Sequence, residues 1–109
     1  MPGKKVADAP GPPKHLKRRS RSFWRSVVAT YELTEGDYVL LRSACETMDR
    51  LDEVRALIDE EGLTVPGSKG QLRPHPLLGA EKDARIGLAR LLRELHLEGG
   101  PDPDPRVPR

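Results

Sequence analysis

An amphipathic repeat of helical period runs through the middle of this chain and limits every fold that can be drawn around it. Leu41, Ala44, Met48, Leu51, Val54 and Ile58 recur at intervals of three and four, flanked by Leu40, Cys45 and Leu57. Its start is marked by Thr34, a good cap, with Asp37 three residues later as a shortened capping box. Leu33 and Tyr38 stand at the two positions of a hydrophobic staple. Its end is marked by Gly62. The spacing predicts one helix over residues 35–61, about 40 Å long at about 1.5 Å per residue. A helix of that length needs partners along much of its apolar stripe, so the rest of the chain must supply helical surface or a second copy must.

Two further helices are predicted. Phe23, Trp24, Val27, Val28 and Tyr31 share one face of a short helix of about ten residues that starts near Ser20 or Ser22. Leu77, Ala80, Ala84, Leu88, Leu91 and Leu95, widened by Leu92, make the stripe of a third helix from about Pro76 to His96, ended by Gly99-Gly100. Small residues Ala80, Ala84 and Gly87 would let its partner come close. Between the long helices, residues 63–76 break the period. Leu63–Val65 and Gln71–Arg73 can extend, and Pro66-Gly67-Ser68-Lys69-Gly70 has turn chemistry, so a small β-hairpin or flap is expected. The fold class is mostly α: a short first helix and a long antiparallel helical hairpin with the flap between its arms. Four prolines in residues 1–14 and four in residues 99–109 exclude helix there. The expected organisation is a disordered basic arm over 1–19, a helical oligomerisation core over 20–97 with the flap at 63–76, and a disordered Pro-rich tail over 98–109.

A body this small buries a modest share of its surface. One cysteine, Cys45, allows no internal disulfide and, with three scattered histidines, makes no metal set. No cofactor is expected. No apolar run has the length of a signal-peptide core or a membrane span, so no membrane partner is expected. Self-association is the remaining source of stability. The stripes on helices two and three are wide for a single pairing, and Leu41, Met48, Leu51, Ile58, Leu88 and Leu91 are the expected contacts of a homo-oligomer.

Charge is divided along the chain. Residues 1–25 hold eight cations and one acid, Asp8, whereas residues 32–62 hold ten acids and only Arg42, Arg50 and Arg55. A cationic arm beside an acidic helix suits a polyanion, and Lys14, Lys17, Arg18, Arg19, Arg21 and Arg25 are the expected DNA contacts. The run lacks helix-turn-helix spacing, so its contacts would be to phosphate. Trp24 and Phe23 could stack on bases, but their helical spacing suits a core. Two other classes stay open: a small dimeric DNA- or RNA-binding regulator, and an assembly factor whose arm binds the acidic helix of the next subunit. Catalytic signatures are missing: there is no phosphate-cradling GxxxxGK[ST], no HExxH and no GxSxG. Cys45 sits mid-stripe as a small core residue, and His75, between Pro74 and Pro76, is expected to cap backbone groups in a turn.

The order of features adds a resemblance. PPKHL (Pro12–Leu16), Trp24, LTEGD (Leu33–Asp37), a long helix ending EEG (Glu60–Gly62), a flap closing on HPLL (His75–Leu78) and a leucine-rich last helix together resemble the phage terminase small subunit of the P27 type over roughly residues 12–97. Members often close the last helix with leucine-glycine-leucine, and this chain has Leu95-His96-Leu97. The resemblance implies a non-catalytic ring subunit acting in the cytoplasm of an infected bacterial host. It would bind double-stranded viral DNA for packaging and regulate a large terminase subunit that carries the ATPase and nuclease.

Overall fold

The computed structural model describes residues 9–97, so the first eight residues of the expected arm and the tail from residue 98 lie outside the described residues. Three helices and one two-stranded ribbon follow in the order α1 (Arg18–Thr30), α2 (Glu35–Glu61), β1 (Thr64–Pro66), β2 (Leu72–Pro74) and α3 (Leu78–Glu94). α2 has the expected ends. The Asp37 amide donates to Thr34 Oγ1 at 3.1 Å and the Thr34 amide donates to Asp37 Oδ2 at 3.0 Å, a complete capping box. At the other end Gly62, at φ 91°, turns the chain out of the helix while its amide still reaches the Ile58 carbonyl.

α1 begins earlier than its serines suggested. Lys17 is its cap residue, and neither Ser20 nor Ser22 starts it. The start is set instead by α2, whose Asp49 accepts the Lys17 amide at 3.0 Å and the Ser20 hydroxyl at 2.7 Å. Residues 10–17 likewise depart from the disorder expected of the arm. They form a strap across α1 and α2. Its turn is closed by the Leu16 amide on the Pro13 carbonyl at 3.2 Å, and Leu16 is buried in the main core. That core gathers Leu16, Trp24, Val27, Leu41, Ala44, Cys45 and Leu95. The Trp24 Nε1–H donates to the Pro10 carbonyl at 3.0 Å and the ring lies 5.9 Å from that of Tyr38.

The leucines expected at a subunit contact are mostly used within the chain. Leu41, Met48, Leu51 and Ile58 are buried in the single chain, packed beneath α1, the strap and α3. They are core residues here, because α3 folds back along α2 and covers their stripe. Leu88 and Leu91 are half-buried, and no residue within α3 is fully buried. Gly87 makes no close approach, since a Cβ there would meet nothing within 4 Å. α3 also stops short of the expected glycines, which lie outside the described residues; it ends at Glu94, with His96 in the left-handed region at φ 51°.

The flap is an antiparallel ribbon, shifted one residue from expectation in each strand, with Thr64 opposite Pro74, Val65 opposite Arg73 and Pro66 opposite Leu72. Both strands are edges, which is why two prolines fit: a missing donor there faces solvent. His75 ties this ribbon to both long helices. Its amide donates to the Leu63 carbonyl at 2.8 Å, and its carbonyl accepts the Leu78 amide at 3.1 Å. The Leu77 amide donates to Nδ1 at 3.0 Å, so the ring proton sits on Nε2, which donates to Glu61 at 2.6 Å. The ring therefore caps the start of α3 in the manner expected of a turn residue. His75→Ala is expected to lower unfolding free energy by about 2 kcal/mol, the sum of a lost cap and a lost bond to a partly exposed carboxylate. Urea denaturation measures it, and hydrogen exchange at the Leu77 amide locates it.

Candidate nucleic-acid interface

The six cations expected to contact DNA lie on one short stretch, but the fold gives them different surroundings. On a helical projection at about 100° per residue, Ser20, Trp24 and Val27 form the buried line of α1. Arg19 and Arg21 stand about 100° to either side of Ser20, on the two flanks. Arg18 and Arg25 stand about 160° and 140° from it, on the outward face.

The flank that meets α2 is neutralised. Arg19 Nε and Nη2 each donate to the Asp52 carboxylate at 2.9 Å, a two-pronged pair that raises the Arg19 pKa. Lys17 Nζ lies 3.6 Å from Glu53, and the His15 Nε2 atom lies 2.7 Å from Glu46. The hydrogen bond with His15, helped by Arg42, holds the Glu46 carboxyl below its ordinary range. A lowered carboxyl pKa contributes stability above the ordinary value, and that contribution fades as pH falls through the depressed one. The opposite flank is occupied differently. Arg21 Nε donates to the Leu16 carbonyl at 2.9 Å and Nη2 to the Lys14 carbonyl at 2.8 Å, which pins the strap's turn to α1.

Lys14, Arg18 and Arg25 are exposed and carry no ion pair among the described residues. Residues 9–31 contain no acid at all. The acidic face of α2 is thus the seat of the strap. The arm that one alternative placed on a neighbouring subunit's acidic helix here lies on its own.

Sequence reasoning missed Asp49, His15 and Leu16 as structural residues, and took Ser20 for a cap where it is a buried donor to Asp49. Asp49 is 8 % exposed and is the anionic partner of the α1 start. Its one visible signal was position: it falls four residues after Cys45, on the edge of the apolar stripe. Leu16 was signalled by being the one large apolar residue among the cations of residues 10–22.

Elsewhere the described surface offers further cations. Lys69 and Arg73 on the ribbon and Lys82, Arg85, Arg90 and Arg93 on α3 are exposed, with Arg85 3.5 Å from Glu81. Arg55 of α2 lies 3.8 Å from the same Glu81, joining the two long helices. Burial, with Asp49 and Glu46 nearby, pushes the Cys45 thiol up to about 11, and its Sγ–H donates to the Ser20 carbonyl at 3.4 Å. A groove of about 550 Å³ between strap and α2 is lined by charged side chains already paired, among them His15, Lys17, Glu46 and Glu53. Among the described residues no group of three His, Cys, Asp or Glu could hold a metal ion, and no helix is long and apolar enough to cross a membrane.

A family model described as phage terminase, small subunit, matches residues 21–99, most of the chain and all of α2, the ribbon and α3. No curated protein and no solved structure matches. The chain belongs to the phage terminase small-subunit family.

Proposed function

We propose that this chain, as a member of that family, is the DNA-binding regulatory subunit of a tailed-phage packaging motor. It acts in the cytoplasm of the infected bacterial host. It binds double-stranded viral DNA, assembles as a homo-oligomeric ring and regulates a large subunit that carries the ATPase and nuclease. The observation that carries this reading is the family match over the helical body. The buried, high-pKa thiol of Cys45 agrees with a non-catalytic role, since a thiol in that state is no nucleophile. Self-association is supported by the apolar surface one chain leaves open. Leu57, Ile86, Leu63 and Leu72 are exposed, and Leu88, Leu91 and Leu92 of α3 are only half-covered. The contact leucines are accordingly those of α3 and its surroundings rather than the buried set of α2.

Two measurements test the reading. Native mass spectrometry is expected to give one assembly of more than two copies at micromolar concentration; a stable monomer there removes the ring. In a reaction with the purified large subunit, ATP and viral DNA, adding the chain is expected to raise both ATP turnover and packaged DNA. Equal turnover and packaging with and without it would overturn the regulatory role.

A further inference from the structure

We infer that DNA phosphate is met by the outward face of α1, through Arg18 and Arg25 with Lys14 beside them, while Lys17, Arg19 and Arg21 hold the strap in place. This rests on the reading that the chain binds DNA. The run of cations looks uniform in sequence, and the fold divides it by direction. Arg19 faces α2 and is matched by Asp52. To reach phosphate it would have to give up two charge-assisted bonds, and Lys17 would have to leave Glu53. Arg21 is bonded to two backbone carbonyls, and one of these belongs to Lys14. That bond keeps Lys14 on the flank nearest Arg25.

Arg18 and Arg25 differ from the others in three ways. They are exposed, they have no acid partner among the described residues, and they point away from Asp49, Asp52 and Glu53. Seven residues apart, they project from one face about 10.5 Å from each other along the axis. That is about three steps of rise along one DNA strand at about 3.4 Å each. Between them on the same face Ser22 is exposed and short, so a backbone can lie close to the helix. The aromatics of this segment are turned the other way: Trp24 is buried and Phe23 half-buried. The face therefore offers phosphate contacts and no stacking platform, which makes its binding electrostatic and indifferent to base sequence. One chain supplies few such contacts, so useful affinity comes from several copies of the face acting on one duplex.

The test is fluorescence anisotropy of the full chain on labelled double-stranded DNA across a salt series, with a circular dichroism melt of each variant. In Arg18→Ala/Arg25→Ala, affinity at low salt is expected to fall at least tenfold. The log–log salt slope should flatten by about 1.8 for each engaged chain, two phosphates at about 0.9 each. The melting temperature should stay at the wild-type value, and Arg18→Gln/Arg25→Gln should behave alike. Lys17→Ala/Arg19→Ala should keep the slope and melt earlier. Wild-type slope in the Arg18/Arg25 variants, or loss of the slope in the Lys17/Arg19 variant, would overturn the assignment while leaving DNA binding intact. No binding by the wild-type chain would overturn the DNA-binding reading itself, and the assignment with it.

Discussion

Trp24→Ala removes about 3–5 kcal/mol of stability and detaches the strap from the helices. The side chain is 4 % exposed and stands at the centre of the cluster that joins α1, α2, the strap and the end of α3. Its loss leaves a cavity that residues from four directions cannot collapse into at once, and it takes away the Tyr38 ring contact, worth about 0.5–1.5 kcal/mol beyond burial. It also removes the donor to the Pro10 carbonyl, the side-chain bond that fixes the outer end of the strap. For a body of this size each kcal/mol moves the melting temperature by about 4–8 °C, so a fall on the order of 20 °C is expected. Trp24→Phe keeps a ring against Tyr38 and should cost roughly half as much, through the lost N–H and the smaller volume. Thermal circular dichroism measures both, and hydrogen exchange at the Leu16 amide reports on the strap. A Trp24→Ala chain that melts within a few degrees of wild type would show that the indole is free to do something other than pack.

Asp49→Ala costs about 2–4 kcal/mol, far more than any other change on the acidic side of α2. The carboxylate is the acceptor for the amide of Lys17, the cap residue of α1, and for the Ser20 hydroxyl. Bonds to a charged acceptor are worth about 1.5–3 kcal/mol each, and alanine leaves the Lys17 amide without its partner. The negative charge also sits at the positive end of the α1 dipole. Asp52→Ala is the comparison. Its pair with Arg19 is geometrically good, but both side chains are about half exposed, at 43 % and 55 %, so solvent screening limits its loss to about 1 kcal/mol or less. Two acids three residues apart on one helix thus differ severalfold in effect. Urea denaturation of the two variants side by side checks the ratio, and equal losses would mean that Asp49 is no more than another surface acid.

The parts of this fold legible in the sequence were those written in local code. The capping box at Thr34, the stop at Gly62, the ribbon between two long helices and the mostly helical class all follow from residues within a few positions of one another. The core role of Trp24 was legible for the same reason, as one member of a helical stripe. What could not be read is what depends on pairing across about thirty residues. Lys17 and Arg19 look like free cations in a proline-rich stretch, and Asp49 and Asp52 look like a wetted face. Only the approach of α1 to α2 turns them into partners. The leucines of α2 expected at a subunit contact are buried within the single chain, because periodicity shows that a face is apolar and says nothing of which helix covers it. The same limit holds for the candidate site, since a count of cations carries no direction.

Leu16, at the entry to the helical body, and Leu95, at its exit, are buried in the same cluster. The path of the chain is therefore nearly closed on itself. It leaves the cluster along α2, turns at the ribbon and returns along α3 to where it began. Connectivity, as distinct from contact, matters little to such an arrangement. A permuted chain opened between Gly67 and Gly70, with its present ends joined by a linker, would hold the same core with its helices in the order α3, α1, α2.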